Sequence, residues 1–384
     1  MKRTLLGFMI FIVLILGACQ IVQQPIGEEE AEEEVELQGS YKIGVIYPLS
    51  GDAASYGLPI QRTTKIAVDE INAKGGVNGR KLQIIYEDGK CNPKDGNAGA
   101  QKLVDVDKVQ VIIGGVCSGE TLGAAPITEA GRVILISPSA TSPDVTDAGD
   151  FVFRTAPSDA FAGVVAAEYA ISELAAEKAA VITEATDYAQ GLREVFNDNF
   201  AELGGEIVSD ETFNPEDTDF RTQVTKVKAA KPDVIYIVPQ SEQKGVLLVR
   251  QIKEAGLTQQ LITAEVLIGR NLIAENEELE GIIGVEQRFD EDAPKASALL
   301  AKYKEQANQD APFPAYMSGS YDIVYLIAEA IEAVGYDGEK IRDYLYGVED
   351  FEGALGKITF DERGDVLLDF AVRQAKDGKI ETLK

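Results

Sequence analysis

From residue 41 onward the chain alternates short apolar, β-branched runs with longer stretches whose apolar residues recur at helical spacing. The runs 41–47, 82–86, 109–113, 133–136, 179–183, 234–238 and 282–285 predict strands. Several of them are continuously apolar, as strands covered on both faces are. Ile60, Thr64, Ala67 and Ile71 fall on one helical face, and that pattern stops at Gly75 and Gly76, which tolerate the positive φ of a helix C-terminus. The same reading predicts helices over 161–174, 191–203, 245–255 and 321–334, the last three closed by Gly204 and Gly205, Gly256 and Gly335. Strands that alternate with helices in this way build an α/β protein of mostly parallel sheets flanked by helices.

The first residues follow a different pattern. Lys2 and Arg3 precede an apolar run over 5–16, which is too short to span a bilayer comfortably and ends at Leu16-Gly17-Ala18-Cys19. This predicts a secretory leader over 1–18, with a retained membrane helix as the alternative. A small-residue site followed at once by Cys resembles the lipobox of lipoproteins, which implies that Cys19 carries lipid and anchors the chain to the membrane. Residues 19–40 hold seven glutamates between Glu28 and Glu36 and lack any apolar period, so they predict a solvated acidic tether.

Charge and composition narrow the function. The formal net charge is -28, and without the leader and tether glutamates 57 acidic residues still face 34 basic ones. Such a surface repels nucleic acid and anionic lipid headgroups. Of three cysteines, Cys19 is assigned to lipid; Cys91 and Cys117 are left to pair in an oxidising compartment, with two buried free thiols as the alternative. The absence of histidine excludes Ser-His and Cys-His nucleophile systems and His-ligated zinc. No cofactor, metal or catalytic residue is implied. A hydrolase built on Ser118 lacks both a nearby His and a Ser-x-x-Lys pair. The 366 residues from Cys19 onward exceed one comfortable core and suit two lobes.

Five segments, in order, carry a resemblance. They are Ile43-Gly44-Val45-Ile46-Tyr47-Pro48-Leu49-Ser50-Gly51 with Tyr56-Gly57 beyond it; Ile71 to Gly79; Glu87-Asp88 with Cys91-Asn92-Pro93-Lys94 and the matching Cys117-Ser118; Ile136 to Pro143; and Phe360 to Asp365. From residue 41 to about 375 the chain resembles the leucine/isoleucine/valine-binding proteins of ABC importers. That resemblance implies the two-lobe type I periplasmic-binding fold, with a lobe of 41–157 and 289–364, a second of 158–288 and 365–384, and a three-segment hinge. It also implies a monomer outside the cytoplasm that takes a small zwitterionic amino acid to an ABC permease. A ligand-sensing receptor of the same fold is the alternative, as are amides, urea or other small carboxylates as ligands.

The site is then read residue by residue. Ser118, at the start of a helix, matches the family position that binds an α-carboxylate, where a hydroxyl and free backbone N–H groups suit an anion. Thr141 resembles the threonine that also holds the ligand, and the carbonyl of Ser139 would accept from its ammonium. Glu265, at the end of the predicted strand 261–264, matches the glutamate that pairs the ammonium. Tyr56, Tyr188 and Tyr316 match aromatic positions around the ligand's side chain, each a ring with a polar tip. The chain departs from the family at Gln240, where an amide replaces a common aromatic and makes that wall more polar. Read locally, Ser118 is an ordinary helix-start serine, Ser139 and Thr141 are turn residues, Glu265 is a surface acid and the tyrosines are core.

Overall fold

The structure, a computed structural model, describes residues 39–384. The predicted leader, the lipidation at Cys19 and the tether as far as residue 38 lie outside the described residues. The first sheet contains β1 (Tyr41–Tyr47), β2 (Leu82–Asp88), β3 (Val111–Gly114), β4 (Ile134–Ser137) and β5 (Val152–Arg154) in the order β2-β1-β3-β4-β5, parallel throughout. The second contains β6 (Lys178–Glu184), β7 (Glu206–Phe213), β8 (Val234–Val238), β9 (Gln260–Ala264) and β10 (Ile283–Gln287). Beyond the ribbon of β11 (Phe351–Glu352) and β12 (Lys357–Ile358), β13 (Phe370–Lys376) and β14 (Lys379–Thr382) complete it in the order β14-β13-β10-β9-β8-β6-β7. Only β13 runs against the others in that sheet, pairing antiparallel with β10 and with β14.

The predicted apolar runs are the central strands. β3, β4 and β8 are buried at every residue, because helices cover both faces and leave no position for a polar side chain. Strands without that signature were harder to read. β7 forms one edge of its sheet, and most of its residues are partly or fully exposed, so its composition of Glu, Ser, Asp and Thr does not announce a strand. Helix starts also lie earlier than the periodicity predicts. The helix predicted from 191 begins at Asp187, where the Thr186 hydroxyl accepts from the Ala189 N–H, and the one predicted from 321 begins at Pro314. In both, the opening turn is set by a cap or by proline's fixed φ, not by an apolar stripe.

The chain passes between the sheets three times. After β5 it enters the helix Asp159–Ser172, which packs on the helix Asp187–Glu202 and on β10 and β13. After β10 it returns through the helices Pro294–Ala307, Pro314–Val334 and Gly338–Tyr346. The longest of these lies along the helix Ala54–Ala73, where the hydroxyls of Thr63 and Ser320 meet at 2.7 Å. After β12 it crosses again to β13. Among the described residues no helix is long and apolar enough to cross a membrane.

At the first and third crossings lies Arg154, fully buried. Its Nε donates to Asp365 Oδ1 at 2.6 Å and one Nη to Asp365 Oδ2 at 2.7 Å; the remaining donors reach the carbonyls of Ala140 (3.2 Å) and Ser142 (2.8 Å) and the Thr146 hydroxyl (2.6 Å). Its backbone N–H donates to the Gly364 carbonyl at 3.0 Å. A planar fork with five donors suits this crowded acceptor set, which lysine could not satisfy. Asp365→Asn would leave the guanidinium as an uncompensated buried charge, and unfolding free energy should fall by about 3–5 kcal/mol. The check is the urea midpoint, and an unchanged midpoint would rule out a stabilising role for the pair.

Candidate functional site

Parallel strands end together, and their C-terminal ends open a crevice in which backbone N–H groups and loop side chains face one another. From the first sheet, the turn after β3 brings Val116, Cys117 and Ser118, and the turn after β4 brings Ser139 to Thr141. From the second, the turns after β6, β8 and β9 bring Tyr188, Gln240 and Glu265. Tyr56, Ser118, Ser139, Tyr188, Gln240, Glu265 and Tyr316 line one cavity of about 350 Å³, part of it open to solvent. A groove of about 1950 Å³ adjoins it, with Cys91 and Gly119 from one side, Asp187 and Lys244 from the other, and Gln240 common to both spaces.

Ser118 is the first residue of the helix Ser118–Gly131 and is buried. Its Oγ accepts from the Ser142 N–H at 3.1 Å, which links the two turns of the first sheet. The Ser139 hydroxyl donates to the Val116 carbonyl at 2.8 Å. Thr141 is buried beside the cavity without lining it; its carbonyl accepts from the Asp159 N–H at 2.8 Å, and its hydroxyl lies near enough to the Asp159 carboxyl to lower that group's pKa. At the far wall the Gln240 N–H donates to Glu184 Oε2 at 2.7 Å, and Tyr56 stacks on Phe313 with ring centroids 4.3 Å apart.

A disulfide between Cys91 and Cys117 braces the turn after β3, with the Cα atoms 5.2 Å apart. Under it lies the buried Glu120, whose carboxylate accepts the N–H groups of Cys91 (2.7 Å), Val116 (3.0 Å) and Cys117 (3.2 Å). Burial nevertheless pushes its pKa up to about 8. Ser118 is thus held by a covalent bridge on one side and by a buried acceptor on the other.

The electrostatics centre on two acids. Burial raises the Glu265 carboxyl above its ordinary range, while its own backbone N–H and then the nearby hydroxyls of Tyr188 and Tyr316 pull it part of the way back. Asp159, at the start of the helix Asp159–Ser172, is raised well above the usual range by burial and then by the neighbouring Glu265. Asp159 Oδ2 and the hydroxyls of Tyr56 and Tyr188 have no hydrogen-bond partner of normal geometry among the described residues. Buried polar atoms are seldom left so. Two buried acids thus stand close together, with tyrosine hydroxyls beside them, an arrangement that disfavours ionising both.

Asp159 is the participant that the sequence reading missed. It follows Ser158, whose hydroxyl caps the helix by accepting from the Ala160 N–H. An acid directly after a capping serine is the ordinary composition of a helix N-terminus, so no local signal set it apart.

The family profile described as periplasmic binding protein matches residues 40–379. The chain belongs to that family. A Leucine-, isoleucine-, valine-, threonine-, and alanine-binding protein of Pseudomonas aeruginosa is 33% identical over 335 residues, covering 86% of this chain and 88% of the relative. Among solved structures, a leucine-binding protein of Thermotoga maritima superposes with a TM-score of 0.81 at 30% identity, covering 89% of this chain and 97% of the other. A branched-chain amino acid transporter substrate-binding protein of Streptococcus pneumoniae, solved with isoleucine, gives 0.80 at 30% identity, covering 90% and 99%. The resemblance read from the five sequence segments and the two-lobe α/β fold predicted from it both agree with these matches.

The Cys91–Cys117 bridge closes the loop that leads into the helix Ser118–Gly131. The two half-cystines lie 26 positions apart, and opening a loop of that length should lower stability by about 3.5 kcal/mol. Reduction with a thiol, or Cys91→Ala with Cys117→Ala, is expected to lower the melting temperature measurably. A melting curve indifferent to reductant would show that the bridge contributes nothing.

Proposed function

We propose that this chain is the extracytoplasmic solute-binding component of an ABC importer, and that it captures a small amino acid between two lobes and delivers it to the permease. The single observation that carries this reading is the meeting of Ser118 and the Thr141 turn from one sheet with Glu265 from the other around one cavity. The ligand's carboxylate lies at the N-terminus of the helix Ser118–Gly131, against the Ser118 hydroxyl and free N–H groups. Its ammonium lies between Glu265, Asp159 and the Ser139 carbonyl, with the Thr141 hydroxyl beside Asp159. Tyr56, Tyr188, Tyr316 and Gln240 enclose its side chain. The relatives' names, which record binding of leucine, isoleucine, valine, threonine and alanine, support an amino acid as the ligand.

The lobes are 41–157 with 289–364 and 158–288 with 365–384, joined by a hinge of three segments. A ligand that touches both favours the closed form by the difference in its affinity for the two states. The protein binds and does not catalyse, acts as a monomer, and is held at the membrane by lipid on Cys19 through its acidic tether.

A thermal-shift screen of amino acids tests this. A ligand present at a thousand times its dissociation constant should add about 4 kcal/mol of stability. Glu265→Gln and Ser118→Ala are each expected to lose most of that shift, and Tyr56→Phe less. Full affinity of Glu265→Gln for every zwitterion that binds the wild type would overturn the ammonium assignment. The pH dependence has a definite sign. Burial raises the Glu265 carboxyl above its ordinary range, and only the ionised form pairs an ammonium. Affinity should therefore strengthen as the pH rises through that raised pKa and weaken below it, as titration calorimetry across pH would record.

A further inference from the structure

A second cavity, of about 550 Å³ with part open to solvent, shares Glu265 and Tyr316 with the first. Its walls come from the second sheet and from the segment that leads into the helix Pro314–Val334: Ile268 after β9, Glu286 and Gln287 at the end of β10, Arg373 on β13, and Phe313 in the loop before that helix. The fixed charges cancel in pairs. Glu286 lies 2.7 Å from Arg373, and Arg270 lies 2.6 Å from Glu291.

What does not cancel is Gln287. It is 7% exposed, and both its Oε1 and its Nε2 lack a hydrogen-bond partner among the described residues. The contrast with Gln251 is instructive: its Oε1 accepts from the Phe220 N–H at 2.6 Å and its Nε2 donates to the Thr218 carbonyl at 3.0 Å. A buried carboxamide with neither end used is a donor and an acceptor waiting for a partner that offers both.

The geometry points to Gln287 as a specificity-determining residue: the second cavity takes the distal end of the ligand's side chain, and that end is an uncharged carboxamide or urea group. This rests on the reading that an amino acid's ammonium sits on Glu265, which both cavities share. With Glu265 neutralised by the ammonium, the remaining charges stand as the pairs Glu286–Arg373 and Arg270–Glu291, so the cavity carries no net charge to draw in a charged terminus, and besides Gln287 only Arg373 Nε among its buried side-chain atoms lacks a hydrogen-bond partner among the described residues. A primary amide instead exchanges two hydrogen bonds with Gln287, while Ile268 and Phe313 cover the methylenes leading to it.

The test is titration calorimetry of the purified protein with L-leucine, L-methionine, L-glutamine and L-citrulline. The tighter of the two amide- or urea-bearing ligands is expected to exceed methionine by about tenfold or more, since a site built to hydrogen-bond a group discriminates strongly against its absence. Gln287→Met should abolish that margin and leave methionine within about twofold. The wild-type comparison stands alone should the variant fold poorly. Equal or tighter binding of leucine or methionine overturns the inference, as does a variant that weakens all four ligands alike, which would mean that Gln287 only supports the fold or holds water. If none of the four binds while another amino acid does in the thermal-shift screen, this inference falls and the amino-acid reading stands; if no amino acid binds, both fall.

Discussion

The buried bond between Arg154 and Asp365 is the constraint on which the rest of the site rests. A guanidinium with no exposed surface must find acceptors for all its donors, and here they come from the turn after β4 and from the chain's third crossing between the sheets. By holding the carbonyls on either side of Thr141, it fixes the backbone of the turn that brings Ser139 to the cavity and Thr141 beside it. By holding Asp365, it ties that turn to the segment about which the two halves of the chain are joined. Binding turn and hinge therefore share one charged anchor.

On the opposite side of the cavity the balance is reversed. Glu265 and Asp159 are both buried, and burial first and then the Glu265 carboxyl raise the pKa of Asp159. Such a pair disfavours its own double ionisation, and an ammonium placed between the two removes that penalty. One half of the protein thus presents a rigid, internally satisfied set of donors, braced by the Cys91–Cys117 bridge and Glu120. Acids are contributed from the second sheet and from the helix just past the first crossing, and they are relieved by a cation. That asymmetry matches a small molecule with one negative and one positive pole.

Much of this was legible along the chain, for identifiable reasons. Strands covered on both faces must be apolar at every position, so β3, β4 and β8 declared themselves, while β7 at a sheet edge did not. Ser118, Glu265 and the three tyrosines were found through motif resemblance, since locally each resembles ordinary helix-start, surface or core chemistry. Asp159 hid within the normal composition of a capped helix start. Gln287 hid because a glutamine near a strand end carries no sign of whether its amide will be satisfied.

The sequence by itself determined the alternation of strands and helices, the absence of histidine chemistry, the excess of acid over base and the family to which the chain belongs. These depend on composition and short-range spacing, which folding does not alter. Only the tertiary structure decided which acids lose their water, which polar atoms find no partner, and that Glu265 stands between two cavities. Desolvation and hydrogen-bond satisfaction are set by what other parts of the chain bring to within a few ångströms, and no local pattern records that.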